Sequence, residues 1–199
     1  MRACAPKPRK RVFWLQGLTL AWMLVEFGVA AYAAISSRSP VMFAFGSDSL
    51  VELLSAVLVL LQWTPRLSVS ETKATRVSAI LLFVLALIVT GIAGVSLLFQ
   101  HEPDESPCGI AITIAALIVM PILATLKKRE AVRTGNRALA ADAVQSATCA
   151  YLAAIALVGL TLNALFHIAW FDSIAALICV PILIKEGRSA WQGQHCGCC

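Results

Sequence analysis

Two acidic residues, Asp48 and Glu52, lie four positions apart in an apolar stretch that otherwise reads as a membrane-spanning helix. Residues at this spacing lie one above the other on the same face of a helix. A carboxylate in hydrocarbon is costly unless it meets a cation, a proton or a polar cavity. The alternative is that both acids pair with basic residues of other helices, but the sequence places no Lys or Arg deep in any predicted span. We therefore predict a cation site at this pair.

A second polar pair, Gln145 and Cys149, has the same spacing in the predicted fifth span. The positions of the basic residues place the start of the second span outside and the start of the fifth in the cytoplasm. At 1.5 Å per residue, Glu52 and Cys149 then lie about 16 Å and about 15 Å from their respective edges, near the middle of the bilayer. If the two spans touch, Asp48, Glu52, Gln145 and Cys149 can form one four-ligand site. The alternative is that Cys149 only fills space and Gln145 only bonds a neighbouring helix.

Composition and hydropathy predict the fold class. The chain has 199 residues, of which 59% are hydrophobic, and its mean hydropathy of +0.82 exceeds that of soluble domains. We predict an all-α polytopic membrane protein with a basic tail at 1–12, a transport domain at 13–186 and a Cys/His tail at 187–199. The first span is too long for a signal peptide and is taken as retained. Six segments are long enough to be transmembrane helices: Phe13–Ala34, Val41–Trp63, Val77–Phe99, Gly109–Leu126, Leu139–Asn163 and Phe166–Ile184.

The basic residues predict the orientation. Every Lys and Arg except Arg38 falls on one side of the predicted bundle, so both termini should be cytoplasmic. This distribution accounts for the pI near 9.0 through contact with the lipid bilayer and its anionic headgroups, and no nucleic acid partner is expected. The small size and the lack of targeting features favour a bacterial inner membrane over an organelle.

These features together resemble the cation diffusion facilitator family of divalent-metal/proton antiporters. The resemblance rests on the Gly46–Glu52 motif of the second span, on Asp142 with Gln145 and Cys149 in the fifth, and on Trp170–Leu177 in the sixth. It implies efflux of a metal ion in exchange for protons, by a homodimer with six spans per chain. It also implies a tetrahedral metal site made of Asp48, Glu52, Gln145 and Cys149.

Three departures from the family pattern bear on the metal. Gln145 stands where the family has His or Asp, Cys149 stands where it has Asp, and Glu52 replaces a second-span Asp. A thiolate favours soft ions, so Zn²⁺ is the first expectation and Cd²⁺ or another soft ion the next. No cofactor beyond the transported metal is expected. The alternative interpretation is that the site has degenerated.

The C-terminal residues predict a second metal-binding element. His195, Cys196, Cys198 and Cys199 lie within five residues on the reducing side of the membrane, which suits a soft-metal clip. The residues after Trp191 are too few for the cytoplasmic domain that family members usually carry. An alternative function is therefore a non-transporting membrane protein that binds metal with this tail. An enzyme is not expected, because the sequence offers neither a nucleophile–base pair nor a cofactor loop.

Three further acids are weaker candidates. Asp142 could line a vestibule at the cytoplasmic mouth of the bundle, or it could cap the start of the fifth helix. Glu26 lies in the middle of the first span and could serve as a proton or hydrogen-bond partner. Asp172, near the outer end of the sixth span, could bond a neighbouring helix.

Overall fold

A computed structural model of the protein describes residues 9–62, 71–99, 104–135, 137–166 and 170–192. This part of the chain is helical and contains no strand, which confirms the all-α prediction. The described ranges contain six helices: α1 (Arg9–Ser37), α2 (Pro40–Gln62), α3 (Glu71–Leu98), α4 (Pro107–Thr134), α5 (Arg137–Phe166) and α6 (Trp170–Trp191).

The distribution of polar and apolar side chains is that of a membrane protein. Among the described residues, four helices have a segment long and apolar enough to cross a bilayer: Arg11–Ser37, Ala79–Leu98, Pro107–Thr134 and Asp142–Phe166. Large apolar side chains such as Leu24, Leu87 and Val158 are more than half exposed, while charged side chains such as Asp48 and Glu52 are buried. This inverts the usual pattern of soluble proteins. The prediction of a polytopic membrane protein is confirmed.

The packing of α2 brings the two predicted ligand pairs onto adjoining helices. Helix α2 contacts α1, α3, α5 and α6, and α5 in turn contacts α4 and α6. Small residues allow the close approaches. A Cβ atom added to Gly46 would lie 3.1 Å from the Cβ of Ala30 in α1, and one added to Gly159 of α5 would lie 2.6 Å from the Cβ of Ala175 in α6. The direct contact between α2 and α5 that a shared site requires is present.

Helix α4 is longer than the span predicted from its apolar run. It begins after Ser106, whose hydroxyl oxygen accepts a hydrogen bond from the Gly109 amide at 3.2 Å. It ends at Gly135, whose φ of 62° is the left-handed conformation common after a helix. The predicted span stopped at Leu126, so Lys127 was assigned to a cytoplasmic loop. It lies instead within the helix with its side chain fully buried. The prediction that no basic residue lies deep in the bundle is wrong, because the helix continues and carries Lys127 inward.

The positions of Asp172 and Asp142 bear on two of the weaker candidates. Asp172 accepts hydrogen bonds from the Ser39 hydroxyl at 2.6 Å and from the Val41 amide at 3.1 Å, so it satisfies donors at the start of α2. Its predicted bond to a neighbouring helix is confirmed. Helix α5 begins at Arg137 and has no acidic residue in its first turn, so the capping role considered for Asp142 is wrong.

Candidate cation site

Buried ionisable side chains form two groups in the bundle interior, one turn apart along α2 and α5. We call the group of Trp22, Glu26, Asp48, Ser49 and Cys149 the outer cluster. The group of Gln16, Glu52, Lys127, Asp142 and Ser146 is the inner cluster, named for the side that the basic residues assign to the cytoplasm. Apart from the half-buried Trp22, all of these side chains are at most 1% exposed.

The outer cluster is organised around the carboxylate of Glu26. The Trp22 indole N–H donates to Oε2 at 2.6 Å, and the Ser49 hydroxyl donates to Oε1 at 2.7 Å. The Cys149 thiol donates to the same Oε1 at 3.3 Å, and it also interacts with the carboxylate of Asp48. Glu26 therefore joins α1, α2 and α5, and it holds the thiol beside the predicted ligand Asp48.

The inner cluster is organised around the ammonium group of Lys127. Its Nζ lies 2.6 Å from the Ser146 hydroxyl, 3.0 Å from Asp142 Oδ2 and 3.3 Å from Glu52 Oε1. The Ser146 hydroxyl in turn donates to Glu52 Oε1. The side-chain amide of Gln16 donates to Asp142 Oδ2 at 2.8 Å, which ties α1 to the same group. Glu52 and Asp142 are thus bridged by one buried cation.

Several oxygens in both clusters have no hydrogen-bond partner. Three are carboxylate oxygens, Asp48 Oδ2, Glu52 Oε2 and Asp142 Oδ1, and the fourth is the amide oxygen Oε1 of Gln16; all four are buried. Buried polar atoms are almost always hydrogen-bonded, and a buried anionic oxygen without a donor is especially costly. These atoms are therefore places where a cation, a proton or a water molecule would be stabilised.

Three of the predicted ligands, Asp48, Glu52 and Cys149, interact with one another but do not form a closed set. Asp48 and Glu52 are on one face of α2, as their spacing predicts, and Cys149 lies beside Asp48. Gln145 is buried with its side-chain nitrogen unpaired. Within the part of the chain that the structure describes, no three His, Cys, Asp or Glu side chains are arranged to hold a metal ion. The four-residue metal site remains a prediction.

The sequence-based interpretation missed Lys127, Ser146, Gln16 and a buried acid of α6, Glu186. The absence of a helix-breaking residue between Leu126 and Thr134 could have indicated that α4 continues through Lys127. Whether Lys127 then faces the bundle interior depends on how α4 packs against the other helices. Glu186 lies on the side of α6 that approaches Thr148 and Glu52. The predicted metal clip of His195, Cys196, Cys198 and Cys199 lies outside the described residues.

Comparison with known proteins gives the family. No curated protein matches the chain. The model of the cation efflux transmembrane domain matches residues 67–191. This match contains α3 to α6, and with them Lys127, Asp142, Gln145 and Cys149, and it begins after Asp48 and Glu52. Because the match covers more than half of its length, the chain belongs to the cation efflux family, also called the cation diffusion facilitators, whose members are transporters.

Proposed function

We propose that the protein exports a soft divalent cation, Zn²⁺ or Cd²⁺, in exchange for protons, with Asp48, Glu52, Gln145 and Cys149 as ligands. The observation that carries this proposal is the pair of unpartnered oxygens, Asp48 Oδ2 and Glu52 Oε2, buried one turn apart on a single face of α2. A divalent cation is the ligand that best satisfies two such atoms, and the family to which the chain belongs transports cations.

The types of ligand favour a soft ion. Two carboxylates and a thiolate match the oxygen and sulfur ligands of four-coordinate zinc, and the thiolate disfavours magnesium, calcium and manganese. The Gln145 side chain has an amide oxygen that can complete the set. The nitrogen of this side chain has no hydrogen-bond partner, so turning the amide toward an ion would break no bond made by that atom.

Proton exchange follows from the same ligands. Carboxylates and thiols must lose their protons before they bind a metal, so metal and protons compete for Asp48, Glu52 and Cys149. Metal arriving from the cytoplasm would release protons, and protons arriving from outside would release the metal. The exchange of metal for protons therefore needs no proton-binding site other than the metal ligands themselves. Glu26 positions the Cys149 thiol for this exchange through its hydrogen bond.

The test is transport by purified protein in sealed proteoliposomes with an imposed pH gradient and a panel of metals. We expect uptake of Zn²⁺ and Cd²⁺ that depends on the gradient, and we expect Asp48→Asn to abolish it while preserving side-chain shape. The matched control is Asp104→Asn, because Asp104 is an exposed acid that precedes the start of α4. Wild-type transport rates in the Asp48→Asn protein would overturn the proposal.

A further inference from the structure

The ammonium group of Lys127 is surrounded by oxygen atoms, as a bound metal cation would be. It is fully buried, and its three N–H groups face three oxygens, from Glu52, Asp142 and Ser146. Three donors matched by three acceptors satisfy a lysine side chain completely. The inner cluster therefore already binds a cation, and that cation is the ammonium group of the protein's own Lys127.

The position of this charge interferes with metal binding at Glu52. Lys127 Nζ lies 3.3 Å from Glu52 Oε1, so a divalent cation coordinated by Glu52 would lie within a few ångströms of a positive charge. Charges at such separations interact strongly in the interior of a protein, where water does not screen them. Metal and ammonium cannot share this carboxylate without strong repulsion.

The ammonium group of Lys127 can move away from Glu52 while its other contacts are kept. Asp142 Oδ2 is the nearer of its two carboxylate partners, at 3.0 Å, and it is itself fixed by the side chain of Gln16. The lysine side chain is a flexible chain of four carbons, so a small rotation can break one contact and keep the others. The unpartnered Oδ1 of Asp142 can accept a further hydrogen bond from the withdrawn ammonium.

We propose that Lys127 is an internal counter-cation that sets the affinity and charge selectivity of the transport site. In the metal-free protein it neutralises Glu52, and an incoming divalent cation displaces it toward Asp142. A monovalent ion gains little by replacing a charge of equal size, whereas a divalent ion gains from its greater charge. Lys127 thereby acts as a specificity-determining residue and Asp142 as a positioning residue. This inference rests on the proposed function, in that Glu52 must be a metal ligand.

The test compares the Zn²⁺ affinity of detergent-purified variants by titration calorimetry. The double variant Lys127→Met/Asp142→Asn removes one positive and one negative charge, so the net charge of the interior is unchanged. We expect it to bind Zn²⁺ about tenfold more tightly than the wild type, because Glu52 is freed. Asp142→Asn alone leaves Glu52 as the only carboxylate bound to Lys127, and we expect binding about tenfold weaker. Lys128→Met is the matched control, since Lys128 is the exposed neighbour on α4.

Competition by Na⁺ provides a second measurement. Its result would be the same in the wild type and the double variant if Lys127 only formed a structural ion pair. We expect Na⁺ to compete with Zn²⁺ in the double variant and not in the wild type. Zn²⁺ affinity in the folded double variant equal to or weaker than that of the wild type would overturn the inference, as would equal Na⁺ competition in both. The Asp48→Asn measurement separates the two proposals: if that variant loses Zn²⁺ transport while the Lys127 variants bind Zn²⁺ as the wild type does, only the role of Lys127 fails.

Discussion

The thiol of Cys149 donates a hydrogen bond to Glu26 across 3.3 Å, which joins the middle of α5 to the middle of α1. The same carboxylate accepts bonds from Ser49 and Trp22, so the thiol is held against a fixed partner. The thiol of Cys149 is therefore hydrogen-bonded and is not a purely apolar filler, and it also interacts with Asp48.

Replacing Cys149 with aspartate should change which metals are transported. Cys149→Asp exchanges a soft sulfur for a hard oxygen, so we expect Cd²⁺ transport to fall and Mn²⁺ transport to rise relative to Zn²⁺. The measurement is the ratio of initial rates for the three ions in proteoliposomes. Cys108→Ser is the control, because Cys108 is exposed at the start of α4. An unchanged Cd²⁺ to Mn²⁺ ratio would exclude the thiol as a ligand.

Removing the carboxylate of Asp172 should weaken the fold and leave metal recognition intact. Asp172 satisfies the Ser39 hydroxyl and the Val41 amide where α2 begins. Losing such a cap costs about 1 kcal/mol, and leaving buried donors unpaired raises the cost to about 2 kcal/mol. We expect Asp172→Ala to lower the melting temperature in detergent. A variant with wild-type stability and weakened Zn²⁺ binding would contradict this assignment and place Asp172 in the site.

Deleting residues 193–199 should separate transport from metal capture. The deletion removes the predicted clip of His195, Cys196, Cys198 and Cys199 and keeps every helix that the structure describes. We expect efflux to continue at high cytoplasmic metal and to slow at low metal, where capture limits the rate. The measurement is metal retention by cells at graded metal concentrations. Complete loss of the metal phenotype with the bundle still folded would favour the accessory, non-transporting alternative.

The approximate positions of the helices, and the residues that share a helix face, can be predicted from the amino-acid sequence alone. Long apolar segments must form helices in a bilayer because every backbone group has to be bonded internally, and the structure has a helix at each of the six predicted positions. The spacing of Asp48 and Glu52 likewise fixes their common face through the geometry of one helix. These are local properties, so the chain needs no tertiary contact to specify them.

Which charged groups contact one another depends on how the helices pack. Lys127 and Glu52 are 75 residues apart, and Cys149 and Glu26 are 123 apart. Whether such groups touch depends on how each helix is rotated about its axis and how deep it lies beside its neighbours. The spacing of residues along one helix carries no information about either quantity. For that reason the sequence indicated two unpaired acids on α2, and only the packing of α5 against both α2 and α4 showed that one of them, Glu52, already binds the ammonium group of Lys127.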